Sequence, residues 1–93
     1  VGTVTECIAV EGSEKLLKLT VDFGTETRII LSGIAKFYAP QTIVGRQLPF
    51  ILNLEERQMM GLTSQGMLLA VDNGTEAVFL LPDKAVEKGS RVI

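Results

Sequence analysis

The chain of 93 residues has no histidine, no tryptophan, a single cysteine and a single tyrosine. Without histidine, neither a Ser-His-Asp nor a Cys-His nucleophile can be assembled from this chain alone. A structural zinc site of the usual nitrogen and sulfur type falls with it, because one thiol cannot supply the ligand set, and no metal is expected. Cys7 cannot close an internal disulfide; a lone thiol fits a reducing compartment, and a cytoplasmic location is expected. No apolar run approaches membrane-spanning length and no signal peptide is visible, so no membrane partner is expected. Neither a P-loop nor a GxGxxG fingerprint is present, so no nucleotide cofactor is expected, nor any other. Basic residues are also in short supply: nine Lys and Arg stand against eleven Asp and Glu, for a net charge of −2. A general nucleic-acid binder usually carries a basic surplus, so any RNA-binding role has to rest on local placement of Lys and Arg.

What is present is ordinary globular material, 46% hydrophobic and 22% charged, enough for one domain over residues 1–93 with a modest core. The chain opens inside a strand-like pattern, "VGTVTECIAV" from Val1 to Val10, and is expected to be a piece of a longer polypeptide. Glu11-Gly12-Ser13-Glu14 interrupts that pattern. Leu17, Leu19, Val21 and Phe23 then alternate with Lys18, Thr20 and Asp22, the period-two signature of a half-buried strand. Gly24-Thr25-Glu26 connects it to a strand over Thr27–Ser32, completing a hairpin. Ile34–Tyr38 is long enough for one or two helical turns, ended by Pro40, which drives the residue before it out of the helical region. Further strands are expected over Gln47–Leu54, Met67–Val71 and Ala77–Leu81, with Pro49 marking an edge or strand start. Leu54–Thr63 reads as a loop, and Asp72-Asn73-Gly74-Thr75 as a type I′ hairpin turn. Short strands with one small helix between the third and fourth give the order β-β-β-α-β-β. That predicts an all-β fold with one short helix: a small Greek-key barrel of the OB type, which by itself assigns no function.

Ser64 stands among small residues in "GLTSQG", Gly61 to Gly66. A nucleophile elbow needs glycine two residues before and two after the serine; Gly66 fits, but Leu62 occupies the other position, and no histidine base exists. A hydrolase is discarded. Glu55 and Glu56 are adjacent; on a strand they would face opposite sides, which is a poor basis for a glycosidase pair.

Four stretches occur in order along the chain: "EGSEKLLKLTVDFG" (Glu11 to Gly24), "SGI" (Ser32 to Ile34), "NL" (Asn53-Leu54) and "SQGMLLA" (Ser64 to Ala70). Together they resemble the tRNA-binding domain appended to bacterial methionyl-tRNA synthetases, also found as stand-alone dimeric tRNA-binding proteins and in synthetase-associated cytokines. The resemblance runs from Val1 to about Gly89. It implies an OB-fold that binds tRNA by shape on the outside of the L, a non-catalytic module that raises the tRNA affinity of a synthetase whose catalytic part lies in cis. It also implies a homodimer.

Carried over residue by residue, the resemblance places RNA contacts at Lys15, Ser32, Asn53, Arg57, Ser64, Gln65 and Met67. Lys15 and Arg57 would meet phosphates. Asn53 would offer a donor and an acceptor to sugar or base edges, or else hold a turn. Ser32 reads first as structural, a cap for the small helix. Ser64 would donate at the RNA surface, Gln65 would be exposed, and Met67 would face either RNA or the barrel interior. Glu55, Glu56, Gln58 and Met60 depart from the more basic loop of the family, which predicts weaker binding than in a basic relative. Phe23 and Phe50 read as core. Scarce aromatics argue against a general single-strand binder, which leans on exposed stacking platforms, and agree with recognition of a folded RNA. The rival readings are a dimerisation or protein-interaction domain with weak or lost RNA binding, and an oligosaccharide or small-molecule binder, which no motif supports.

Overall fold

The computed structural model describes residues 1–93. Its strongest element is the one with the cleanest alternation. β2 (Leu17–Asp22) turns Leu17, Leu19 and Val21 inward and Lys18, Thr20 and Asp22 outward. It is flanked antiparallel by β1 (Gly2–Ala9) and β3 (Thr27–Ser32). In β1 the register against β2 shifts between Val4 and Glu6, leaving Thr5 as an extra residue. The bulge moves the inward face from Gly2 and Val4 to Cys7, which explains why this strand alternates only loosely in sequence. β4 (Gln47–Leu48) joins the far side of β1, giving a four-stranded sheet in the order β3-β2-β1-β4.

The strand expected over Gln47–Leu54 divides at Pro49. β4 pairs with β1, whereas β5 (Phe50–Ile51) pairs with β8 (Met67–Leu68), so the chain changes sheets at the residue that has no N–H to give. The Pro49 carbonyl still accepts from the Leu69 N–H at 3.0 Å, bridging the two ladders. Three two-stranded ribbons complete the molecule: β5 with β8, β6 (Arg57–Met59) with β7 (Leu62–Ser64), and β9 (Ala70–Asp72) with β10 (Ala77–Phe79). The curled sheet and its ribbons make a small OB-like β-barrel.

The core cluster contains Val4, Leu17, Leu19, Val21, Ile30, Ile43 and Leu48, all fully enclosed or nearly so. Each such side chain contributes roughly 1.5–3 kcal/mol relative to exposure. Phe23 meets Phe50 edge-on, with centroids 5.6 Å apart, both against this core. The Cys7 thiol is buried there, and burial raises its pKa above the ordinary value.

Two local expectations are corrected. Ile34–Tyr38 is a turn closed by the Phe37 and Tyr38 N–H groups on the Ile34 carbonyl, and the only helical piece is a 3-10 turn over Pro40–Thr42. Ala39 is extended (φ −74°, ψ 138°) ahead of Pro40, so the earlier turn cannot propagate through it. Secondly, Asn73 does not take the positive φ of a type I′ turn. Residues 73–76 form a four-residue connection in which Asn73 Oδ1 accepts from the Thr75 and Glu76 N–H groups and the Thr75 hydroxyl.

Candidate nucleic-acid interface

The segment expected to be a loop, Leu54–Thr63, contains the β6–β7 hairpin. Met59 pairs with Leu62, so the connection is Met60-Gly61, at φ 50° and 76°. Two successive positive φ values belong to the I′ class, whose twist matches that of the flanking strands. Met60 is the only non-glycine residue with positive φ, and a methionine gives no sequence cue for that conformation. The hairpin tip reaches across to the β1–β2 turn, where a Cβ at Gly12 would lie 3.4 Å from Met60 Cε.

Behind this hairpin the "SQGM" stretch is fastened to β3. Ser64 Oγ accepts from the Leu31 N–H (3.0 Å) and donates to the Gly66 carbonyl (3.0 Å). The residue is only 2% exposed. The surface donor expected at Ser64 is therefore corrected: its hydroxyl works inside the chain, satisfying a buried backbone group. Gln65 is half-buried rather than exposed. Its N–H donates to the Ile29 carbonyl (2.8 Å) and its Oε1 accepts from the Ile29 N–H (2.9 Å), so it pairs with Ile29 as a strand residue would. Arg28, which sequence reasoning passed over, locks the arrangement. Its Nη1 donates to the carbonyls of Leu52 (3.1 Å) and Gln65 (3.0 Å), and its Nε donates to Glu26 (2.6 Å). A Cβ at Gly66 would stand 2.9 Å from the Ile51 carbonyl oxygen, so glycine is what lets these segments approach.

The consequence lies at the next residue. Met67 emerges 43% exposed, which answers the sequence-level question in favour of the surface. It lines a groove of about 250 Å³ together with Leu16, Ser32, Glu55, Arg57 and Met59. The groove thus unites Ser32, Arg57 and Met67. Lys15 is exposed and directly precedes Leu16, in a turn where Ser13 Oγ accepts from the N–H groups of Lys15 (3.2 Å) and Leu16 (3.1 Å). Ser32 caps no helix; it ends β3 opposite Leu17. Asn53 is exposed and lies elsewhere, in a depression of about 460 Å³ shared with Glu26, Phe50 and Arg91. Its amide finds no partner within the chain, so it holds no turn.

The two ion pairs of the chain are Arg28–Glu26 and Lys88–Asp22. Arg57 and Lys15 belong to neither, and their cations stay available to an outside anion. The groove is lined mostly by apolar side chains, with one cation, Arg57, and one opposing carboxylate, Glu55. An arginine beside an apolar face is an arrangement that suits a phosphate next to a sugar or base.

The fold defines a small OB-like β-barrel module, with this mixed apolar and charged groove on its surface. The chain belongs to the family described as "Putative tRNA binding domain", whose family model matches residues 1–91. It is 52% identical over 89 residues to a methionine–tRNA ligase of Methanothrix thermoacetophila, covering 96% of this chain and 13% of that protein. To the methionine–tRNA ligase of Parabacteroides distasonis it is 47% identical over 94 residues, covering 99% and 14%. The chain thus spans only 13–14% of the length of these relatives. A crystal structure of a MetRS related protein from Pyrococcus horikoshii has a TM-score of 0.94 and 33% identity, covering 99% of this chain and 85% of that one. The CsaA chaperone from Bacillus anthracis, at 24% identity, TM-score 0.90 and 99% and 86% coverage, shares the fold.

Proposed function

We propose that this domain is a non-catalytic module that binds folded tRNA by shape and raises the tRNA affinity of a methionyl-tRNA synthetase whose catalytic part lies in the same longer chain. The observation that carries the reading is the groove lined together by the unpaired Arg57, the exposed Met67 and the half-buried Ser32. Arg57 supplies a phosphate contact without sequence preference, Lys15 a second charge nearby, and Met67 an apolar contact to sugar or base. Ser64 and Gln65 act beneath the surface by fixing where Met67 emerges. Asn53 serves a contact outside this groove. Such a module works where tRNA is charged, which places it in the cytoplasm. The test is a gel-shift titration of the domain against folded tRNA and against unstructured RNA at two salt concentrations. Preference for folded tRNA supports the reading; equal binding of both RNAs removes shape recognition.

A second reading, a homodimer, draws on a separate apolar surface. Leu80, Leu81, Val86 and Val92 are exposed around a groove that also includes Val1 and Pro49. Exposed apolar clusters of this kind mark interaction sites. Sedimentation equilibrium checks it: a monomer at every concentration rejects the homodimer.

A further inference from the structure

The opposite edge of the four-stranded sheet carries a groove of another character. Its volume is about 710 Å³, and Thr3, Gly45, Arg46, Gln47, Asp83 and Lys84 line it. Arg46 is fixed from several directions. Its N–H donates to the Ile43 carbonyl (3.1 Å), and its own carbonyl accepts from the Val4 N–H (3.0 Å). The side-chain Nε donates to the Thr42 carbonyl (2.9 Å), and the guanidinium carbon lies 5.7 Å from the centroid of the Phe79 ring. Phe79 stacks on Tyr38 at 4.0 Å and 10°, and the Tyr38 hydroxyl donates to the Ala77 carbonyl (3.0 Å).

A guanidinium has five N–H donors, and Nε uses one of them here. The other four sit on the terminal nitrogens. Neither ion pair of the chain involves Arg46 or Lys84, and Asp83, the carboxylate of this groove, is in neither as well. Within the chain the terminal nitrogens of Arg46 have no partner, so they are open to an outside acceptor. An arginine ordinarily loses rotamer freedom when it grips an anion, whereas Arg46 has lost it already on folding. A planar fork held this way suits a phosphate taken in bidentate fashion.

We propose that Arg46, with Lys84 beside it, is a second and preorganised phosphate contact, holding a stretch of tRNA backbone distinct from the one at Arg57. This rests on the tRNA reading above and deepens it. β3, whose Leu31 and Ser32 border the first groove, and β4, which begins at Gln47, are the two outer strands of the sheet. Three interstrand steps of about 4.8 Å separate them by roughly 14 Å along the curled sheet. A cation held at one edge of the sheet and a second, exposed one beyond the other edge favour a ligand that spans both. They explain how an acidic domain can hold a polyanion: charge is placed at the two edges rather than spread over the surface.

The test is titration of the 93-residue chain with folded tRNA over a range of salt, using wild type, Arg46→Gln, Arg46→Lys and Arg57→Ala, with a thermal melt of each. Arg46→Gln is expected to weaken binding several-fold and to lower the log–log salt slope by about 0.7–0.9. Arg46→Lys keeps the slope and still binds several-fold more weakly, because an ammonium cannot reproduce the fork. If Arg46→Gln melts out, the affinity of Arg46→Lys decides. Wild-type slope and affinity in Arg46→Gln, with both reduced in Arg57→Ala, overturn the second contact and leave the tRNA reading standing. Wild-type affinity in Arg46→Lys overturns the preorganised fork. Failure of the wild type to bind folded tRNA removes both readings together.

Discussion

Ten of the eleven residues in the core cluster lie between Val4 and Leu48, and only Leu68 lies beyond. The first half of the chain is therefore held by apolar burial within one curled sheet. The second half is a set of short ribbons fastened to that sheet by polar side chains that reach backbone groups. Ser64 bonds Leu31, Gln65 and Arg28 tie residue 65 to β3, and the Gln47 amide grips both the N–H (2.9 Å) and the carbonyl (2.6 Å) of Val86. Of the proposed contacts, Arg57 and Met67 come from the half with little core, where directional bonds set the geometry, while Lys15, Ser32 and Arg46 stand at the edges of the sheet half.

The sharpest way to break this contrast is to strike each half by its own force. Leu19 is fully buried in β2, and Leu19→Ala is expected to lower unfolding free energy by about 2–5 kcal/mol, measured by urea denaturation. A loss below about 1 kcal/mol would mean that the sheet is not the main source of stability. In the ribbon half, Ser64→Ala strands the Leu31 N–H without a partner and is expected to destabilise by about 1–3 kcal/mol. It should also weaken tRNA binding by displacing Met67, yet leave the salt slope unchanged, since no charge is removed. A changed slope in Ser64→Ala would contradict the positioning role.

Arg57→Ala inverts that pattern. The side chain is exposed and outside both ion pairs, so stability should stay within about 0.5 kcal/mol of wild type. The salt slope of tRNA binding should fall by about 0.7–0.9. A variant that loses stability but keeps its slope would move Arg57 from the interface to the scaffold.

The same division governs what could be read from the sequence. β2 was legible because alternation is the direct signature of a strand with one buried face, and Leu17, Leu19 and Val21 supply it without interruption, whereas β3, with Ile30 and Leu31 both buried, was legible as the return arm after Gly24-Thr25-Glu26. Of the ribbon strands, β5, β8, β9 and β10 fall on the strands expected over Gln47–Leu54, Met67–Val71 and Ala77–Leu81, whereas β6 and β7 were not legible, because each is three residues long and takes its order from tertiary bonds. The β6–β7 turn has no Asn-Gly or Asp-Gly to announce it; Met60 adopts the conformation under the constraint of the hairpin. At Asn73-Gly74 the familiar turn dipeptide is present, but the Asn73 side chain spends itself on the backbone and builds a longer connection. The family resemblance located the "SQGM" stretch and left its division of labour hidden. Whether a serine hydroxyl points to solvent or to a neighbouring strand depends on partners thirty residues away. Arg28 escaped notice for that reason, since nothing local distinguishes a clamp from a surface cation.

The smallest expected effect concerns the tail. Lys88 Nζ lies 2.9 Å from Asp22 Oδ2, and Asp22 Oδ1 accepts from the Gly24 N–H at 2.8 Å. The hydrogen bond from Lys88 and then that from Gly24 hold the Asp22 carboxyl below its ordinary pKa. The folded state thus binds this proton less readily than the unfolded chain does. The resulting stability is complete above the unfolded pKa of about 3.9 and is lost as pH falls through the lower folded value. Asp22→Asn retains an oxygen for the Gly24 N–H, now without charge, and removes the attraction to Lys88. Wild type should therefore melt slightly above Asp22→Asn at neutral pH, with the gap shrinking below about pH 4. Salt near 1 M should narrow the same gap at neutral pH, since the pair is exposed and readily screened. A gap indifferent to both pH and salt would mean that the tail is held by the Gln47–Val86 bonds and by the close approach of Gly89 to the Phe23 carbonyl, with the ion pair contributing nothing.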